Sequence, residues 1–136
     1  MLSNMAAEVA TMSSCCKGKV GCVVTDMDLV VQGIGHNRKP LAIEHLTCEQ
    51  LGCDPTKKCR LTTHAEVDAF SHIDPRQDAN GHCIFLPKAN CLDCLKHCIA
   101  RNVKIVMFTK TYNIPDQDRW AYETILKASG IRLYML

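Results

Sequence analysis

His64-Ala65-Glu66 stands at the head of one helical pattern, and Cys91-Leu92-Asp93-Cys94 at the head of the next, with a short apolar run, Cys83 to Leu86, between them. Working outward from these motifs gives the order of elements. Thr62 or Thr63 reads as the N-cap of a helix over Thr63 to Ile73, which Asp74-Pro75 ends. Cys91 to Arg101 reads as a second helix, for which Asn90 can serve as N-cap. Lys104 to Thr109 is a buried-type strand. Asp116 to Ala128 is a helix capped by Asp116 and stopped by Gly130, and Ile131 to Tyr134 is a last strand. Upstream, Met1, Met5, Val9 and Met12 recur at helical spacing and predict a helix over Met1 to Ser14. Val20 to Thr25 and Leu29 to Ile34 are β-branched runs joined by a hairpin turn at Asp26-Met27-Asp28. The order α-β-β-α-β-α-β-α-β predicts one sheet with helices on both faces. His36 to Leu61 has no period and carries Pro40, Gly52, Pro55 and three cysteines. A loop of that length in a small domain is functional or stapled.

A chain of 136 residues predicts a single domain, 1–136, with 36–61 as a cysteine-rich insert. No run is apolar enough for a membrane span, and no basic segment leads into an apolar core at the N-terminus. A cytoplasmic location is the expectation. Aromatic residues are 5% and the net charge is +2, which gives no sign of a nucleic-acid partner. Cysteine is the outlier, at 10 residues beside 6 histidines. Disulfides and metal ligands are the two readings, and the missing leader puts metal first.

One imidazole from His64 and two thiolates from Cys91 and Cys94 suit zinc and leave a tetrahedral position open, as in a catalytic site. The two cysteines share one helix face by their i, i+3 spacing, at a helix N-terminus that favours negative charge. Glu66 sits two residues from His64 with no need to bind metal. A carboxylate there can move protons between an activated water and a substrate. Cys48, Cys53 and Cys59 form a second group, for which Cys16, His45 or Asp54 are alternative members, since spacing alone does not fix ligand identity. Cys22, Cys83 and Cys98 fall inside a strand or helix and fit buried thiols.

His-x-Glu followed by Cys-x-x-Cys resembles the zinc-dependent cytidine/deoxycytidylate deaminase superfamily. The resemblance runs from Cys15 to Leu136 in four places: Cys15-x4-Val20-Gly21, Gly35-His36-Asn37, the cysteine insert with His64-Ala65-Glu66, and Cys91-x-x-Cys94. It is closest to the dCMP deaminase branch of phage or bacterial type. The resemblance implies a three-layer α-β-α fold around a mixed sheet of about five strands. It implies hydrolytic deamination of dCMP to dUMP and ammonia, with Glu66 carrying protons and zinc at His64, Cys91 and Cys94. It further implies a structural zinc at Cys15, Cys48, Cys53 and Cys59. Substrate contacts would come from Asn37 to the deoxyribose, Lys17 to the phosphate, and Ala65 and Ala89 in the pocket wall, with Arg38 and Lys39 near the same rim. A homo-oligomer (hexamer or dimer), dCTP and dTTP as effectors, and a cytoplasmic or host-cytoplasmic location belong to the same picture. Two departures mark this chain: Asn90 stands where the family usually has proline, and His36 and Arg38 replace the usual Tyr and Gly. They keep two alternatives open, a deaminase of another or modified cytosine nucleotide or nucleoside, and a non-catalytic zinc-binding regulatory homologue.

Overall fold

The β-branched runs on either side of Asp26 pair as an antiparallel hairpin, β1 (Gly21–Asp26) with β2 (Val31–His36). In this computed structural model β1 also pairs antiparallel with β3 (His82–Leu86). β3 runs parallel to β4 (Val103–Phe108), and β4 parallel to β5 (Arg132–Met135). The result is one mixed sheet in the order β2-β1-β3-β4-β5. The structure describes residues 1–136 apart from Ser14, Cys16, Lys17, Pro55, Lys57, Lys58 and Cys59 and the side chains of Ser3, Asp78 and Ala79.

The helices are α1 (Leu2–Ala10), α2 (Ala65–Ser71), α3 (Leu92–Ala100) and α4 (Asp116–Ser129). Parallel strands need crossover connections, and α3 and α4 supply them. Strand residues alternate between two cores. Cys22, Val24, Ile84, Leu86 and Val106 pack with Ala69 and Phe70 of α2, Leu95 of α3 and Tyr122 of α4. Val23, Cys83 and Phe85 point the other way, onto Ala6 of α1. The layers are therefore α1, the sheet, and the three remaining helices, the expected architecture. No helix of the described residues is long and apolar enough to cross a membrane.

Several element ends differ from the sequence pattern. α1 stops at Ala10 because Met12 and Ser13 turn back onto Val9 and Ala10, which leaves Met12 exposed although it keeps the helical spacing. α2 begins one step later than its threonines suggest. Thr63 is held instead by paired backbone bonds with Arg38, Thr63 N–H to Arg38 O at 2.7 Å and the reverse at 3.1 Å, so His64 becomes the cap residue. α3 begins at Leu92 with Cys91 as its cap, and Asn90 turns inward and caps nothing. Pro115, not Asp116, caps α4, while Gly130 ends it in the left-handed region at φ 72° as expected. Residues Pro75–Asn80 form a 3-10 helix where the sequence showed only a break.

The seating of α2 depends on a missing side chain. A Cβ on Gly35 would collide with the backbone N of Ala69 and come within 2.5 Å of Ala65 O. Helix and strand backbones touch directly there. Gly35→Ala is expected to destabilise the fold by about 2 kcal/mol or more, the cost of overpacking against backbone that cannot yield. Urea unfolding measures it, and an unchanged midpoint would show that α2 can ride higher on the sheet.

Candidate metal centre and proton-transfer site

Two helix starts converge at one end of the sheet. His64 caps α2 in extended backbone (φ −70°, ψ 153°), and Cys91 caps α3 in the same way (φ −74°, ψ 172°). Cys94 lies in the first turn of α3. His64 Nδ1 is 3.0 Å from Cys94 Sγ and 3.5 Å from Cys91 Sγ. The three donor atoms all lie within 4.8 Å of one another, the one such group of three or more His, Cys, Asp or Glu donors among the described residues. One nitrogen and two sulfurs gathered to that distance fit zinc, and three protein ligands leave a coordination position for water or substrate.

The thiols share protons unequally. The Cys94 thiol, then His64, draw Cys91 down to about 4 against its burial. Cys94 is pushed up, first by Cys91, then by burial and by Glu66, which also hydrogen-bonds it. The two thiols are thus coupled, Cys91 drawn down and Cys94 pushed up by the same contact.

Glu66 lies in the first turn of α2 and is 5% exposed, with its carboxyl group against Cys94. Asn90 Nδ2 donates to Glu66 Oε2 at 2.7 Å. Cys98 and Cys22 lie in the same buried region, and burial before all else pushes both thiols well above their ordinary range. They remain neutral packing groups there. Burial, with Cys91 next, pushes Tyr122 up to about 12, so its hydroxyl stays protonated and donates to Asn90 O at 2.9 Å. The segment before α3 is held further by Ala89 N–H to Lys110 O at 3.0 Å and Thr109 Oγ1 to Pro87 O at 3.0 Å.

α2 is clamped along its length. His36 N–H donates to Asp68 Oδ2 at 3.0 Å, and Arg38 Nε lies 3.1 Å from Asp68 Oδ1. Arg38 also approaches Glu44 at 3.6 Å and His36 Nε2 at 3.0 Å. At the far ends of the two helices Arg101, just past α3, donates to Phe70 O at 3.1 Å and Ile73 O at 3.0 Å. Its guanidinium lies 4.9 Å from the centre of the Phe70 ring.

The remaining expected site residues fall as follows. Ala65 is fully buried at the start of α2, and Ala89 is half-buried, two residues before Cys91. Asn37 is buried, and its amide closes the segment before β1: Nδ2 donates to Gly18 O at 2.7 Å and Val20 N–H donates to Oδ1 at 2.9 Å. These two bonds use one amide N–H and one lone pair of the side chain. Lys17 and Cys59 lie outside the described residues. Lys39 is only 2% exposed and so does not stand on the rim, and Arg38 is committed to Asp68 and its neighbours. Cys15 is buried, and Cys48 and Cys53 share one turn through Cys53 N–H to Cys48 O at 2.9 Å. These three do not gather as His64, Cys91 and Cys94 do. Asp68 and Tyr122 had no role in the sequence reading. A second acid at Glu66 + 2, on the sheet side of α2, was the available signal for Asp68.

A thiol held near 4 makes a direct prediction. In zinc-stripped protein iodoacetamide modifies Cys91 first, at a rate that stays level from roughly pH 5.5 to 7.5 because the thiolate is already formed. A rate climbing about tenfold per pH unit, as for an ordinary thiol, would contradict the assignment.

No family model matches the chain. A curated relative, the deoxycytidylate deaminase of Schizosaccharomyces pombe, is 25% identical over 139 residues. The match covers 96% of this chain, which spans 41% of that relative's length. Among solved structures, the dCMP deaminase of cyanophage S-TIM5 in complex with dCMP and dUMP has a TM-score of 0.75 at 21% identity, over 98% of this chain and 93% of that one. Its apo form has a TM-score of 0.72 at 19% identity, over 99% and 94%. RibD of Acinetobacter baumannii has a TM-score of 0.62 at 22% identity, over 98% of this chain and 33% of that one. This chain has the fold of these deaminase structures, with His64, Cys91 and Cys94 brought together and Glu66 beside Cys94.

Proposed function

We propose that this chain is a zinc-dependent hydrolase that converts dCMP and water to dUMP and ammonia. The observation that carries the reading is the meeting of His64 Nδ1, Cys91 Sγ and Cys94 Sγ within 4.8 Å, with the buried Glu66 carboxylate against Cys94. The likeness to dCMP deaminases supports the choice of substrate. A zinc ion held by the three ligands supplies Lewis acidity that makes water a nucleophile near neutral pH. Glu66 takes the proton that water loses as its oxygen adds to C4 of cytosine, and passes it to ring N3. It then moves the proton of the new hydroxyl to the exocyclic nitrogen. The C4–N bond breaks, a carbonyl forms and ammonia leaves. Burial shields this transfer from bulk water. Ala65 and Ala89 line the base, and the spare hydrogen-bonding capacity of Asn37 reaches the sugar. Lys17 meets the phosphate.

A second, structural zinc at Cys15, Cys48, Cys53 and Cys59 belongs to the same reading, supported by the cysteine spacing and by the shared turn of Cys48 and Cys53. So do a single domain over 1–136, a cytoplasmic location, a homo-oligomer and control by dCTP and dTTP. The exposed apolar residues Met12, Val31 and Ile34, beside α1 and along edge strand β2, support an assembly.

The test is loss of cytosine absorbance with ammonia release from dCMP, run beside dCTP, deoxycytidine and CMP. Turnover of dCMP alone is expected, and Glu66→Gln is expected to reduce it by roughly 100-fold or more while the zinc stays bound. No turnover of any of the four by folded, zinc-loaded protein would favour a modified base or a non-catalytic role. Elemental analysis separately gives the metal count. Two zinc ions per chain are expected, and a result of one would return the insert cysteines to plain thiols.

A further inference from the structure

Asn90 is 1% exposed and lies immediately before the first thiolate ligand. Its Nδ2 donates to Glu66 Oε2 at 2.7 Å and sits 3.8 Å from the Cys98 sulfur. Its Oδ1 is buried with no hydrogen-bond partner among the described residues. A buried acceptor without a partner is destabilising, so a position that only started a helix would be better filled by a residue with no amide. The start of α3 makes no use of the side chain, since Cys91 is the cap residue and no side chain bonds the cap. The main chain is fixed as well, because Tyr122 donates to Asn90 O at 2.9 Å. With its backbone pinned from α4, the amide has one feature that offsets the orphaned oxygen: a short, charge-assisted bond to the carboxylate.

We propose that Asn90 is a positioning residue for Glu66, its neutral amide holding one carboxylate oxygen so that the group stays turned towards Cys94 and the metal centre. This rests on the reading of Glu66 as the proton carrier. A carboxylate on a flexible stem has several staggered rotamers. One strong donor at a pinned backbone site selects among them.

Two measurements test the assignment. In zinc-loaded protein Asn90→Ala is expected to lower kcat for dCMP roughly 10–100-fold, the usual loss for a group that orients a site residue. KM is expected to stay within about twofold, with zinc content unchanged. Unchanged kcat would overturn the proposal, and so would loss of zinc together with activity, which would place Asn90 in holding the ligands. The second readout needs neither turnover nor an Asn90 variant. In 15N-labelled wild type, one side-chain amide proton of Asn90 is expected well downfield and slow to exchange, moving upfield in Glu66→Gln as the acceptor loses its charge. The same position in both proteins would show that the contact does not form in solution. Wild-type protein that deaminates no cytosine nucleotide would fail the functional reading, and the amide shift would then decide the Asn90–Glu66 contact by itself.

Discussion

The direct backbone contact between α2 and the sheet is the constraint on which the site depends. Gly35 lets Ala65 and Ala69 lie on β2 with no side chain between them. Asp68 then accepts from the backbone of His36 and meets Arg38, so the helix can neither slide nor roll. Arg38 and Thr63 exchange backbone bonds immediately before His64. These contacts anchor the head of α2, where His64 stands. The head of α3 is placed independently, by the loop after β3 and its ties to Lys110 and Tyr122. The donor set exists because two helices start at the same point.

The groups at that point are mostly acidic: the Cys91 and Cys94 thiols, Cys91 drawn down, and the buried Glu66 carboxyl group against Cys94. Such a cluster is unfavourable by itself in a low-dielectric setting, and a divalent cation with a site water resolves it. The helix N-termini aim their partial positive charge the same way. Asn90 adds a donor without adding charge. The electrostatics and the ligand geometry thus call for the same occupant.

Much of this was legible in the residues. The element order follows from periodicity and turn chemistry, and the pairing of His-x-Glu with Cys-x-x-Cys pointed to the three donors that meet, with Glu66 beside them. The readings that failed did so for physical reasons. Asn90 and Thr63 are good N-cap residues by type, but each already has a stronger engagement, Asn90 with Glu66 and Thr63 with Arg38. Lys39 reads as a surface cation, yet it is buried. Arg38 reads as a cation near the rim, and Asp68 engages it. Each of these depends on contacts between positions far apart in the chain, and no local pattern encodes them. The insert remained hard to read because its cysteines follow no secondary-structure period.

Arg101 gives the site a property that its ligands do not. By gripping Phe70 O and Ile73 O, the residue after α3 closes the far end of α2. The two helices are joined at their heads through the donor cluster and at their tails through this guanidinium, which makes them a closed frame. A closed frame opens as one cooperative unit, with the free energy of the pair and not of the shorter member. α2, only 7 residues long, borrows its persistence from α3. Partial fraying that displaces one of the three donors and leaves the other two in place is therefore disfavoured.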